Sequence, residues 1–113
     1  MPYIAINTSK TLSDSQKDAL KTALGEKITV IPGKSESSLM VDIADGRAMY
    51  LAGEKRDLAF VEVRCFGTTE FVNKKAFTEA AFLALQETTG LTKDSIYLNY
   101  SEFEHWGAMG SMK

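Results

Sequence analysis

Cysteine and histidine each occur only once in the 113 residues, and proline occurs twice. A single cysteine, Cys65, cannot form a disulfide within the chain, and one cysteine with one histidine cannot supply the ligands of a typical transition-metal site. No apolar run approaches the roughly 20 residues that a membrane-spanning helix needs. We therefore expect no internal disulfide, no metal, no other cofactor and no insertion into a membrane.

A strong excess of charge is also lacking, because 13 basic and 15 acidic residues give a net charge of −2. These residues are scattered without a basic block, so we expect no nucleic-acid partner. Polar residues at positions 7–10 interrupt the opening apolar stretch, and we expect no secretory signal. The sequence favours a cytoplasmic protein whose partners are small molecules or proteins.

The length suits a single domain over residues 1–113, and the chain resembles itself. Segments that read as strands, separated by helical stretches, align at one constant offset between the two halves. The aligned pairs are Pro2–Thr8 with Ala59–Cys65 and Gly33–Ile43 with Gly90–Tyr100. The sequence therefore predicts an internal repeat over residues 2–52 and 59–108, each half being a strand-helix-strand unit.

Capping and apolar spacing predict two helices. The first should begin near Ser13, where Gln16 completes a capping box, and should stop at Pro32. The second should run from about Glu70 to Thr88 and end before Gly90, which suits a left-handed cap.

Residues 59–66 and 96–103 are rich in β-branched and aromatic side chains, which is typical of strands. A short strand near 49–51 should extend an edge of the sheet. The predicted fold is α/β (α+β), a four-stranded sheet with two helices on one face. The uncovered face and edges favour self-association.

Three blocks of sequence resemble the macrophage migration inhibitory factor family of the tautomerase superfamily, whose members include phenylpyruvate and dopachrome tautomerases. They are Met1-Pro2, Gly33-Lys34 and Ile96-Tyr97-Leu98-Asn99-Tyr100. The resemblance runs from Pro2 to about Gly110. It implies a homotrimer whose sheets enclose a central barrel-like core, with active sites between adjacent subunits.

Pro2 by itself is a commonplace start to a strand. The resemblance implies that Met1 is removed and that the amine of Pro2 is the catalytic base. Apolar surroundings and a nearby cation would keep this amine neutral, since both disfavour its charged form. We expect Val63 to supply apolar surface and Lys34 to supply positive charge. The resemblance further implies that Lys34 binds the carboxylate of the substrate, a role that suits its flexible point charge.

Tyr97 and Asn99 alternate with Leu98, so their side chains share one face of a strand. The resemblance implies that both reach the pocket of the neighbouring subunit. Trp106 would either cap the pocket or close the trimer core near the chain end.

The sequence departs from the family pattern at several positions. Leu58 and Val61 stand near the place of a Cys-x-x-Cys pair, so oxidoreductase activity is not expected. Ser38 stands where an aromatic residue is usual, and Ala108 where a tryptophan closes the pocket.

The leading interpretation is a keto-enol tautomerase that acts on an aromatic 2-oxo acid such as phenylpyruvate. A second is decarboxylation or addition of water, which in related enzymes needs arginines beside the proline; Arg64 should face away from Val63 on its strand. A third is a signalling or host-interaction protein with a vestigial pocket. Cytokine-type members of the family leave cells without a signal sequence, so non-classical secretion remains open.

Overall fold

The computed structural model describes every residue from Met1 to Lys113. Helix α1 spans Asp14–Lys27, and the predicted capping box is confirmed. The backbone N–H of Gln16 donates to Ser13 Oγ over 3.1 Å, and the N–H of Ser13 donates to Gln16 Oε1 over 2.8 Å. These two bonds satisfy backbone donors that the first turn of a helix leaves unpaired.

The predicted end of α1 at Pro32 is wrong, because the α-helix stops at Lys27 and a 3₁₀ turn follows over Ile28–Val30. The residue before a proline is pushed out of the helical region, and Ile31 is extended with φ −88° and ψ 117°. The preceding turn tightens, and the N–H of Ile31 bonds to the carbonyl of Ile28.

Helix α2 spans Phe71–Thr89, one residue later at both ends than predicted. Gly90 caps it with φ 76°, a left-handed conformation that glycine adopts without steric cost, and its N–H donates to the carbonyl of Gln86. Neither helix has the length and apolar character that a membrane crossing requires.

Four strands form one mixed sheet: β1 (Pro2–Thr8), β2 (Met40–Ala44), β5 (Ala59–Phe66) and β6 (Ile96–Phe103). They lie in the order β2-β1-β5-β6. Antiparallel pairing joins the two central strands, and each outer strand runs parallel to its inner neighbour. Between β2 and β5 lie β3 (Tyr50–Leu51) and β4 (Glu54–Lys55). The predicted α+β sheet is confirmed.

The short strand predicted near 49–51 does not extend this sheet within the chain. Strand β3 pairs only with β4, in a separate hairpin whose turn residues Ala52 and Gly53 have φ of 54° and 80°. Two consecutive positive φ values form a tight turn that folds the chain back on itself. A similar hairpin near the C-terminus joins β7 (Gly107–Ala108) to β8 (Ser111–Met112) through Met109 and Gly110.

The two faces of the sheet differ sharply in burial, because side chains alternate between them. On the helix side, Ile4, Ile6, Val61 and Val63 are at most 1% exposed and join the core formed with α1 and α2. The other face carries Tyr3, Glu62 and Tyr97 among its half-buried or exposed side chains. We call it the open face, because no element of this chain covers it.

Candidate active site

The largest concave site, with a volume of about 670 Å³, lies at the end of the sheet where β1 begins. We call it the N-terminal cleft. Its walls come from the start of β1, from Ser38 and Met40 around the start of β2, from Arg64 on β5, and from the residues that follow β6. Seven of its twelve lining residues are hydrophobic, so the cleft suits a largely apolar molecule that carries a few polar groups.

Pro2 lines this cleft as the first residue of β1 and pairs in register with Cys65 on β5. Its ring is buried, while Met1 ahead of it is 43% exposed. Burial, and next the positive charge of Lys34, lower the pKa of the terminal amine of Met1. An amine at this end of β1 is therefore held toward its neutral form, which is the form that accepts a proton.

Lys34 reaches the same end of the sheet from the turn before β2. Gly33 gives this turn its positive φ of 80°, and the backbone N–H of Lys34 bonds to the carbonyl of Ile31. The ammonium group donates to the carbonyl oxygen of Phe66 over 3.1 Å, which fixes the half-buried side chain at the end of β5. The charge of Lys34 therefore acts on the amino terminus, although Lys34 itself does not line the cleft, and its role toward a substrate stays a prediction.

Val63 was expected to supply the apolar wall, and it is not among the residues that line the cleft in this chain. It is fully buried, pairs with Ile4, and faces the helices. Arg64 faces away from Val63 as predicted, but this orientation places Arg64 in the cleft with Pro2. An arginine therefore does lie beside the proline, because the cleft at the end of the sheet is bordered by the face of β5 that carries Arg64.

Tyr97 and Asn99 share the open face of β6 and are both exposed, Tyr97 by 45%. Pro2 pairs with Cys65, and Cys65 pairs with Glu102 on β6, so these three residues lie side by side across the sheet. Asn99 lies three residues before Glu102 on β6 and pairs with Glu62. Three residues along the strand and two strands across place Asn99 about 14 Å from Pro2 between backbones. Neither Tyr97 nor Asn99 lines the N-terminal cleft of its own chain.

Trp106 lines the N-terminal cleft, just before the C-terminal hairpin. Its ring lies 6.0 Å from that of Phe103 at an interplanar angle of 57°, a favourable tilted arrangement of aromatic rings. The N–H of Lys113 donates to the carbonyl of Trp106 over 2.9 Å, so β8 holds this segment in place. Ala108 and Ser38, two of the departures from the family pattern, line the same cleft.

Sequence reasoning missed the group of polar side chains that borders the cleft on the open face. Tyr3 donates to Asp42 over 2.7 Å, and this hydrogen bond to a carboxylate raises the pKa of Tyr3. The guanidinium of Arg64 lies 5.6 Å from the centre of the Tyr3 ring and 2.9 Å from a carboxylate oxygen of Glu62. Strand alternation was the available signal, because it predicts that Tyr3 and Arg64 share a face.

A second polar group closes the helix side behind Pro2. The ammonium of Lys74 donates to Glu102 over 2.8 Å, and this bond lowers the pKa of that carboxyl group. The hydroxyl of Tyr100 donates to Cys65 Sγ over 3.2 Å, and burial raises the pKa of Tyr100. These contacts tie the end of β6 to α2 and to the strand that pairs with Pro2.

This fold, a mixed four-stranded sheet with two helices on one face, is shared with solved structures of macrophage migration inhibitory factor homologues. A solved structure of MIF2 from Leishmania major has 25% sequence identity and a TM-score of 0.92, covering 100% of this chain and 97% of that one. Protein Pt0534, solved after inactivation by 2-oxo-3-pentynoate, has 19% identity and a TM-score of 0.81, over 89% and 85% of the two chains.

A fused 4-OT symmetric trimer gives the same identity, TM-score and coverage, 19%, 0.81, and 89% and 85%. No curated protein has a significant sequence match to the chain. The model of the macrophage migration inhibitory factor family matches residues 1–112. The chain belongs to this family.

Proposed function

We propose that the protein is a keto-enol tautomerase of an aromatic 2-oxo acid such as phenylpyruvate, and that the amine of Pro2 is its acid-base group once Met1 is removed. The observation that carries this proposal is the position of the chain terminus. It opens into an apolar cleft where burial and Lys34 lower the pKa of a terminal amine. With Met1 attached, the nitrogen of Pro2 is an amide and cannot act as a base.

The proposed reaction moves one proton and needs no cofactor. The neutral amine of Pro2 takes the proton from the enol oxygen, and the same amine, now protonated, delivers a proton to the adjacent carbon as the carbonyl forms. Lys34 holds the carboxylate of the substrate as a point charge on a flexible stem. Trp106 and Phe103 offer aromatic surface to the substrate ring.

A homotrimer would complete each site with Tyr97 and Asn99 of a neighbouring subunit. Both side chains are exposed on the open face, where they are free to meet another copy. Exposed apolar side chains and the outer strands β2 and β6 give further surface for association. The trimeric assembly of the fused 4-OT protein, which has the same fold, supports this arrangement.

The chemical class of substrate has independent support. Protein Pt0534 is inactivated by 2-oxo-3-pentynoate, which is a 2-oxo acid. A molecule of that class presents a carboxylate beside a carbonyl; Arg64 lines the N-terminal cleft, and the charge of Lys34 acts on the terminal amine from nearby. The apolar remainder of the cleft favours a substrate with a hydrophobic side chain.

The test compares the enol-keto conversion of phenylpyruvate by the wild type and by Pro2→Gly, with intact mass measured for both. Glycine is also small, so Met1 should still be removed, but the rigid secondary amine is lost. We expect kcat/KM to fall by up to about 100-fold, the lower end of what a positioned general acid-base group contributes, because the primary amine that remains is not held in place by a ring. Pro32→Gly is the matched control, since it removes the only other proline, which is exposed in a turn.

Wild-type kcat/KM in correctly processed Pro2→Gly would contradict the mechanism. If the wild-type protein with Met1 removed does not convert phenylpyruvate, that result would favour the signalling or host-interaction alternative instead. Decarboxylation or addition of water is a further candidate, favoured by the position of Arg64 in the cleft. NMR of the reaction products separates these reactions from tautomerisation, because each changes the carbon skeleton or adds oxygen.

A further inference from the structure

A second cleft, of about 530 Å³, lies at the far end of β1 from Pro2. Ser9, just beyond the end of β1, lines it together with segments before β3 and after β4. It shares no lining residue with the N-terminal cleft. Three of its eight lining residues are the cations Arg47, Lys55 and Arg56, and Asp57 is its only carboxylate. We call it the basic cleft.

The charges of these three cations are not neutralised by ion pairs within the chain. The ion pairs of the structure are Lys17–Asp45, Arg64–Glu62 and Lys74–Glu102, and none of them includes a residue of the basic cleft. The side chain of Arg47 makes only one long hydrogen bond, 3.4 Å from Nη1 to the amide oxygen of Asn7. A chain with a net charge of −2 therefore collects an excess of positive charge in one concave site.

Backbone hydrogen bonds hold the walls of this cleft against the end of β1. The N–H of Arg47 donates to the carbonyl of Thr8 over 3.0 Å, and that of Gly46 donates to Lys10 over 2.9 Å. On the other wall, Leu58 is tied to Ser9 through both its N–H and its carbonyl. The cations thus project from segments that are fixed before any ligand arrives, which lowers the entropic cost of binding.

We propose that the basic cleft binds the phosphate group of a small phosphorylated molecule. Guanidinium groups present planar pairs of donors that match phosphate oxygens, and two arginines with a lysine can neutralise a dianion. The exposed Thr11 adds a hydroxyl donor to the same wall. The limited volume and concave shape favour a small molecule over an extended polyanion.

The experiment titrates inorganic pyrophosphate into the full chain by calorimetry at constant ionic strength. The wild type is compared with Arg47→Ala/Arg56→Ala and with the matched control Lys21→Ala/Lys27→Ala, which removes two exposed cations of α1. We expect the wild type and the control to bind alike. The arginine double variant should bind at least about tenfold more weakly, because it loses both bidentate donors.

Equal binding of pyrophosphate by all three proteins would overturn the proposal, since it would show that the anion is attracted to surface cations in general and not to the basic cleft. Absence of binding to the wild type would also overturn it. A changed oligomeric mass of the arginine double variant, measured by light scattering, would assign the cleft to a contact between copies instead. Should that variant not fold, Lys55→Ala replaces it, with weaker pyrophosphate binding as the expected result.

Discussion

Mixing two inactive variants tests whether each active site is shared between subunits. Pro2 lies at one end of β1 on the helix side, whereas Asn99 lies on the open face about 14 Å away between backbones. Side chains on opposite faces of a sheet at this separation cannot grip one small substrate. The proposed site therefore needs Pro2 from one subunit and Asn99 from its neighbour.

The magnitude follows from the symmetry of the proposed trimer. In an equal mixture of Pro2→Gly and Asn99→Ala subunits, a site is intact only when an Asn99→Ala subunit supplies its Pro2 and a Pro2→Gly subunit supplies its Asn99. Random assembly makes about one quarter of the sites intact, so about one quarter of the wild-type activity should return. The assay is phenylpyruvate turnover after joint unfolding and refolding, with subunit exchange verified by native mass spectrometry.

A mixture of Pro2→Gly with the double variant Pro2→Gly/Asn99→Ala is the control, because no arrangement of its subunits supplies an intact Pro2. It should stay inactive. Verified exchange without any return of activity in the first mixture would refute the shared site. Full activity of Asn99→Ala by itself would remove Asn99 from the site altogether.

Two further predictions concern charge and packing. Lys34→Ala should raise the pKa of the terminal amine, because it removes a nearby positive charge, so the rise of kcat/KM with pH should move to higher pH. Lys93→Ala is the control. An unchanged pH profile of Lys34→Ala would exclude this role of Lys34. A methyl group at Gly25 would overlap the carboxylate of Glu36, so Gly25→Ala alone should leave the free energy of unfolding nearly unchanged. In the Glu36→Ala background the overlap is gone, and Gly25→Ala should raise the free energy of unfolding by about 0.5–1 kcal/mol, because alanine favours the helix over glycine. Urea unfolding of the four proteins measures this difference, and equal effects in both backgrounds would contradict it.

The bounds of β5 and β6 and the start of α1 follow from sequence because local signals specify them. The richness in β-branched and aromatic residues predicted both strands at the observed residues, and Ser13 with Gln16 predicted the capping box. The end of α1 was harder to predict, since apolar spacing continues through Ile28 and Ile31 in a 3₁₀ turn and an extended residue. The spacing of apolar residues indicates which side chains are buried, and both of these residues are buried without being α-helical.

The candidate site was predictable only in part, for a geometric reason. Alternation separates Val63 from Arg64 but does not state which face borders the cleft. The cleft lies at the end of the sheet, where Pro2 from one face and Arg64 from the other line the same space. The place of Trp106 in the cleft could not be predicted without the position of the C-terminal hairpin. That position depends on contacts between residues distant in sequence.

The open face bears on how the proposed trimer could be held together. It carries Asp42, Glu62 and Arg64, and the Glu62–Arg64 ion pair is partly exposed. Removing such charges from water costs several kcal/mol per ion unless each is well paired. A trimer that buried this face in a dry interior would bear that cost three times. Its subunits should therefore join along sheet edges and leave these charges in contact with water, while Tyr97 and Asn99 reach the neighbouring site.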